Sequence, residues 1–373
     1  MKNTFGSSVC LTIFGESHGP AIGAVLDGLC AGLPVDEAFI ARQMDKRRAR
    51  GDGLSTGRTE ADRVHLLSGV LNGRTTGTAI ALLIENKAQR SGDYAKTQDL
   101  LRPGHADFTA YAKYGGWQDS RGGGHFSGRI TAPLVAAGAI CQQVLAAKGI
   151  TIATHIRAAA GVEDLPFAAD EPTLLARQAA AVSAASPEQL ALIDPARKEA
   201  MRAAIRAAGA EGDSVGGILE TAVLGLPAGV GEPFFDSVES VLSHLLFSIP
   251  AVKGVEFGLG FGFAGLRGSQ ANDPFRMEAG RVVTATNHNG GVNGGIANGM
   301  PLVFRTAVKP TPSIYKPQQT VDYVAKRDAQ LQIQGRHDPC IVHRAAVVQT
   351  CAAALGLLDL LTTCEGTRSQ KED

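Results

Sequence analysis

Residues 69–87 read GVLNGRTTGTAIALLIENK, and residues 291–309 read GVNGGIANGMPLVFRTAVK. Both are a glycine-rich turn leading into an apolar strand. In the first, Asn72-Gly73 is a strong hairpin signal, set between apolar runs at 64–70 and 78–84 that read as strands. Working outward, Gly15-Glu16-Ser17-His18-Gly19 is echoed by Gly212-Asp213-Ser214-Val215-Gly216. The same register, held without a gap, pairs Gly28-Leu29 with Gly225-Leu226 and Ala31-Gly32 with Ala228-Gly229. A helical pattern and then a strand follow each copy, the strands at 64–70 and 252–258. This ordered recurrence predicts an internal duplication: one domain over 1–373, built from pseudo-repeats at about 5–150 and 205–360. Strands joined by hairpins predict an α+β fold with antiparallel sheets flanked by helices, rather than a parallel Rossmann sheet.

The remaining elements fit that frame. Apolar runs at 9–14 and 22–29 read as strands. Pro34 and Asp36 open a helix to about Arg50, with Asp36 as its N-cap. A helix is expected over 129–148, stopped by Gly149, then a strand at 151–157 and helices within 171–209. A last apolar helix is expected over 343–361, ahead of a charged tail at 365–373.

Composition narrows the function. The chain has 373 residues, 44% of them hydrophobic, and no formal net charge. That supports a large core and lacks the basic excess of a nucleic-acid binder. No uninterrupted apolar run approaches the roughly 18 residues of a membrane span, and the first ten residues lack the pattern of a signal peptide. Six cysteines without a Cys-x-x-Cys pair read as free thiols of a cytoplasmic protein, with no structural zinc. The 45 glycines suggest places where backbone closely approaches a ligand or another strand.

Six motifs carry candidate chemistry. His18, between glycines at a strand end, suits proton transfer near neutral pH. His105 lies in Arg102-Pro103-Gly104-His105-Ala106-Asp107, where Asp107 is placed to cap the following helix. Gly122, Gly123 and Gly124 precede His125, Phe126, Ser127 and Arg129 at a helix entrance, offering free amides to a phosphate or a flavin edge. That run has neither the P-loop lysine nor dinucleotide-fingerprint spacing. The basic run with Arg42, Lys46, Arg47, Arg48 and Arg50, then Arg58 and Arg63, can hold a multiply charged anion, although a solvated helix face is the plainer reading. Asn293-Gly294-Gly295 stands with Lys309-Pro310-Thr311-Pro312-Ser313. Arg336, His337 and Asp338 set a cation, an imidazole and a carboxylate side by side before the last helix. No metal site is expected, because His18 and His105 have no ligand partners at short spacing.

Taken together these motifs resemble the chorismate synthase family over nearly the whole chain. They include FGESHG at 14–19, RPGHAD at 102–107, RGGG at 121–124, EGDSVG at 211–216, AVKGVEFG at 251–258, RGSQ at 267–270, KPT at 309–311 and GRHDPC at 335–340. The resemblance implies a 1,4-anti-elimination of phosphate from 5-enolpyruvylshikimate 3-phosphate to give chorismate, with reduced FMN and no net redox change. It implies that His18 protonates the leaving phosphate, that His105 sits by flavin N1, and that Asp338 joins a proton relay near N5. His125, Phe126, Ser127, Ala251, Gly294, Lys309, Pro310, Thr311, Pro312, Ser313 and Arg336 would contact the flavin. Arg47, Arg48 and Arg129 would hold the substrate. The resemblance also implies a homotetramer and, in some members, NADPH as reductant. Two departures stand out. Many members read Arg-Ser-Ser-Ala-Arg-Glu-Thr where this chain has His125-Phe126-Ser127-Gly128-Arg129-Ile130-Thr131, and many carry arginine in place of Gly53.

Overall fold

In a computed structural model of the chain, residues 2–56, 62–87, 99–333 and 337–369 are described. Two five-stranded sheets dominate, and every pairing in them is antiparallel. The first has the order Thr4–Phe5, Cys10–Gly15, Ala21–Asp27, Ile80–Glu85, Val64–Leu66. The second has the order Val252–Phe257, Leu302–Val308, Gly217–Leu224, Thr151–Ala159, Val162–Glu163.

The two sheets share one plan. Cys10–Gly15 pairs with Ala21–Asp27, which pairs with Ile80–Glu85, which pairs with Val64–Leu66. Thr151–Ala159, Gly217–Leu224, Leu302–Val308 and Val252–Phe257 repeat that succession. Between the second and third strands in sequence, each half places an eleven-residue helix, Glu37–Arg47 or Val238–Ser248, capped by Asp36 or Ser237. The glycine-rich stretches form matching small hairpins, Val70↔Thr75 and Val292↔Ala297. Even single bonds recur: Gly32 N–H donates to the Thr75 carbonyl and Gly229 N–H to that of Ala297, both at 2.8 Å.

The second unit differs from the sequence-based boundary. Its first strand is Thr151–Ala159, well before 205. An insertion carrying the helices Pro172–Ala184 and Lys198–Ala210 separates that strand from its neighbour, and it hides the repeat from a gap-free comparison. The run at 64–70 is likewise two short strands rather than one, with Val64–Leu66 in the sheet and Val70–Leu71 in the small hairpin.

Each half ends in an apolar helix, Thr131–Ala147 or Val342–Ser369. The first packs on strands of the first sheet, the second on strands of the second sheet, and the two pack against each other. Both are long and apolar enough to cross a membrane by length and composition, but 78% and 89% of their apolar windows are buried inside the protein. A helix apolar on every side is what such a central position requires. The final helix runs to Ser369 instead of ending near Leu361, so much of the charged tail is helical. The hairpin Phe275–Glu278 with Arg281–Thr284 and the hairpin Gln318–Asp322 with Arg327–Leu331 were not legible in the sequence. All six cysteines are free.

Candidate active site

A cavity of about 400 Å³ lies where matching pieces of the two halves meet. The C-terminal end of the Glu37–Arg47 helix brings Arg47, Arg48 and Ala49 to its wall, and the end of Val238–Ser248 brings Ile249, Pro250 and Ala251. The first half adds Arg102, Gly104, His105, Gly122 and the 126–129 turn, and the second adds Lys309, Thr311, Pro312, Ser313, His337 and Asp338. The GESHG turn and its counterpart anchor these entrances alike. Ser17 N–H donates to the Gly124 carbonyl at 3.1 Å and Val215 N–H to the Pro339 carbonyl at 2.8 Å.

His18 is buried and bonded through Nδ1 to Ser17 Oγ at 3.1 Å. It does not itself line the cavity but packs against Gly122, which does. His105 lines the cavity with Nδ1 3.0 Å from Asp107 Oδ1. Asp107 does not cap the helix Asp107–Tyr114. It is the first residue of that helix, and it instead accepts from Arg102 N–H, Arg102 Nε and His105. Burial works against its ionisation, but the bonds and charges of Arg102 and His105 prevail and hold the carboxyl well below its usual range. Asp338 accepts from Thr56 N–H at 2.8 Å and from Arg344 at 2.7 Å. Its neighbour His337 has a lowered pKa, through burial first and then the charge of Arg102.

The arginines form a buried clasp. Asp62 Oδ2 pairs with Arg47 Nη1 at 3.1 Å, and its other oxygen pairs with Arg129 Nη1. Arg47 also donates to Thr131 Oγ1 and the Gly128 carbonyl, both at 2.9 Å. Arg129 reaches Asn86 Oδ1 at 3.1 Å. Arg48 is half-exposed at the cavity and paired with Asp45. Across the cavity, Lys309 Nζ donates to the Gly104 carbonyl at 2.6 Å, joining the two halves.

Most of the residues expected at the site therefore converge. Phe126, Ser127, Ala251, Lys309, Thr311, Pro312 and Ser313 line the cavity, and Pro310 is carried between two of them. His125 turns away, with Nδ1 2.8 Å from the Gly15 carbonyl, and does not line it. Gly294 sits in the Val292–Ala297 hairpin and is also absent from this cavity. Arg336 and Arg58 lie outside the described residues. Sequence reading missed Asp62, Thr56 and Arg344, since an isolated acid, backbone amide or base carries no pattern until its partner is placed. Among the described residues no group of three or more His, Cys, Asp or Glu side chains is placed so that it could hold a metal ion.

The residues present fit a polar, ring-bearing cofactor. Two buried polar atoms of cavity-lining residues, His337 Nε2 and Thr311 Oγ1, have no hydrogen-bond partner among the described residues. Such atoms are costly unless a ligand supplies the missing bond. Phe126, 39% exposed, offers an apolar face in the same cavity.

Known proteins resemble the chain over nearly its whole length. The family model described as chorismate synthase matches residues 9–362. A chorismate synthase of Dehalococcoides mccartyi (strain ATCC BAA-2266 / KCTC 15142 / 195) is 46% identical over 361 residues, covering 96% of each chain. One of Methanosarcina acetivorans is 45% identical over 357 residues, covering 96% of this chain and 95% of its own. A crystal structure of a chorismate synthase superposes with a TM-score of 0.75 at 27% identity, over 98% of this chain and 99% of the other. The chain belongs to the chorismate synthase family and is, like its relatives, a carbon–oxygen lyase.

Proposed function

We propose that the chain eliminates phosphate from 5-enolpyruvylshikimate 3-phosphate to give chorismate, with reduced FMN bound in the shared cavity. The observation that carries this reading is the meeting of His105, Asp338 and the His18–Gly122 pair around one cavity walled by cations. In the reaction a C–O bond to phosphate breaks and one C–H proton leaves, so substrate becomes chorismate and phosphate with no net oxidation. When bound, reduced FMN lends electron density to the allylic system as phosphate departs.

The chain's own groups have definite tasks. Phe126, Ser127, Ala251 and the 309–313 segment would hold the flavin, with His337 Nε2 and Thr311 Oγ1 available to its polar edge. His18, which stands behind Gly122 in the cavity wall, would give its proton to the departing phosphate oxygen through one bridging water. His105 is oriented by Asp107, which fixes one ring nitrogen. Asp338, held by Arg344 and Thr56 N–H, would accept a proton at the far wall. Arg48 and Arg129 would meet substrate anions, with Arg47 behind them.

The two halves would act as a single domain, because the cavity draws on both. Exposed apolar side chains on the Phe275–Thr284 hairpin, namely Phe275, Met277 and Val282, suit burial against another copy of the chain, as in the homotetramer that the resemblance implies, and free thiols support a cytoplasmic setting. An anaerobic assay with dithionite-reduced FMN tests the reaction, following phosphate release and the absorbance of chorismate. Product should form with reduced flavin and not with oxidised flavin; no product with either would overturn the proposal. Replacing dithionite by NADPH asks whether NADPH can be the reductant.

A further inference from the structure

A second cavity, of about 300 Å³, backs onto the first. The two share Ser313, His337 and Asp338 as a common wall. Its outer side is formed by the turn at Gly53 and Ser55 and by Arg206 of the Lys198–Ala210 helix. That helix is seated close to the wall: a Cβ at Gly209 would lie 3.1 Å from Pro339.

Arg206 reaches over Gly53. A Cβ at 53 would stand 3.2 Å from Arg206 Nε and 3.7 Å from its Cγ, so the bare glycine leaves the volume that the arginine occupies. Gly53 also has φ +79°, a conformation that a side-chain-bearing residue resists. The guanidinium donates from Nη2 to the Asp52 carbonyl at 3.0 Å. Among the described residues it forms no ion pair.

Two of the nearby carboxylates are already paired with cations. Asp338 is paired with Arg344 at 2.7 Å, and Asp213 with Lys316 at 2.7 Å. The Asp52 carboxylate is turned into its own loop, accepting from Leu54 N–H, Ser55 N–H and Ser55 Oγ. Arg206 thus lines this cavity without a carboxylate partner among the described residues. A guanidinium tethered at one nitrogen retains the fork that suits a phosphate.

We propose that this side cavity is a second anion subsite, in which Arg206 holds a phosphate monoester or free orthophosphate next to the Asp338 wall. Two sources share that chemistry: phosphate released in the elimination proposed above, or the phosphate of the flavin. The subsite itself does not require the elimination to be correct.

The probe is inorganic phosphate, titrated calorimetrically into the full-length protein and into Arg206→Gln and Arg206→Lys. Arg206 is exposed on its helix, so both variants should remain folded, which a thermal melt checks. The parent is expected to bind one phosphate more than Arg206→Gln, or to lose at least tenfold in affinity for one class of site on that substitution. Arg206→Lys should lie between them. Repeating the titration with FMN and with phosphate-free riboflavin identifies the source. Competition by FMN alone assigns the subsite to the flavin phosphate, and competition by neither assigns it to free phosphate. Phosphate binding by Arg206→Gln equal to that of the parent overturns the subsite. Turnover measured in parallel separates the two readings: an active enzyme with unchanged phosphate binding sinks the subsite alone, and an inactive one with Arg206-dependent binding sinks the elimination alone.

Discussion

The His18 ring is seated on the bare α-carbon of Gly122, so that a Cβ at 122 would overlap Cε1 and Nδ1 of the imidazole. Gly122 also has φ +64°, in the left-handed region. Gly122→Ala should therefore push His18 from its place while leaving the central helices packed. Turnover is expected to fall by about 10²–10⁴-fold, the usual range for loss of a general acid, with a small drop in melting temperature. Near-parental turnover would show that His18 is not used from this position.

His18→Ala should fall in the same range and keep its flavin affinity, because His18 does not line the cavity. The double variant His18→Ala/Gly122→Ala should be no slower than the slower single variant, since both remove the same event. Multiplicative losses in steady-state assays would mean that Gly122 serves the site in another way, for instance through a backbone amide.

The architecture was legible in the sequence to the extent that it is periodic. Alternating apolar runs, Asn72-Gly73, and Asp36 as a cap marked strands, hairpin and helix where local chemistry decides them. The start of the second unit was not legible, because the insertion after Ala159 interrupts the register on which comparison depends. At the site, glycine runs and histidines flagged their own segments. Asp62 did not, because its meaning lies in two arginines, one on a helix and one at the entrance of another. Asp107 shows the limit differently: its position before a helical pattern suggested a cap, and only the folded loop shows that Arg102 and His105 claim its carboxylate. Gly294 was expected at the flavin from resemblance, and the fold of a single chain puts it in a hairpin away from the cavity.

Asp62 is the hinge of the arginine clasp. Its side chain is 2% exposed and bonded to both guanidiniums. Asp62→Asn nearly keeps the shape but removes the charge that both guanidiniums share. Breaking a buried pair in this way costs about 3–5 kcal/mol, and urea unfolding should show a loss of that order. Arg129 should lose its orientation with it, raising KM for substrate more than it lowers kcat. Parental stability and KM in the Asp62→Asn variant would remove Asp62 from both roles.

Substrate and flavin anions should separate by residue. Arg47 already donates to Asp62, Thr131 and Gly128, so Arg47→Ala should act largely by loosening the 128–131 turn. Arg129→Lys exchanges a fork for a point charge and should raise KM strongly, lower turnover and leave flavin affinity nearly unchanged. Calorimetric titration of flavin and of substrate decides this: collapse of flavin binding with substrate binding intact would reverse the assignment.

One buried histidine, His155, has no part in the proposed reaction. His155, in the strand Thr151–Ala159, is fully buried between two carboxylates. Nδ1 lies 3.1 Å from Asp164 Oδ2 and Nε2 lies 2.9 Å from Glu220 Oε2, while the edge of the Phe167 ring packs nearby. Burial alone would lower its pKa, but hydrogen bonds to Asp164 and Glu220 and their charges prevail and raise it. Asp164 also accepts from Ile193 N–H and Asp194 N–H, at 2.6 and 2.9 Å, so the cluster ties the insertion to the second sheet. The sign of the pH effect follows by linkage. With the folded pKa above the unfolded value near 6.5, His155 contributes fully below about pH 6.5, and that contribution is lost as pH rises through the folded pKa. For Asp164, burial raises the pKa but the His155 and backbone hydrogen bonds prevail and lower it, so its contribution is lost as pH falls through its folded pKa. Urea unfolding of the parent and of His155→Gln should therefore differ most at mildly acidic pH, with the gap narrowing toward alkaline pH. A gap that is constant from pH 5.5 to 9, a range chosen to bracket roughly the ordinary histidine pKa, would mean that His155 is not the charged centre of the cluster.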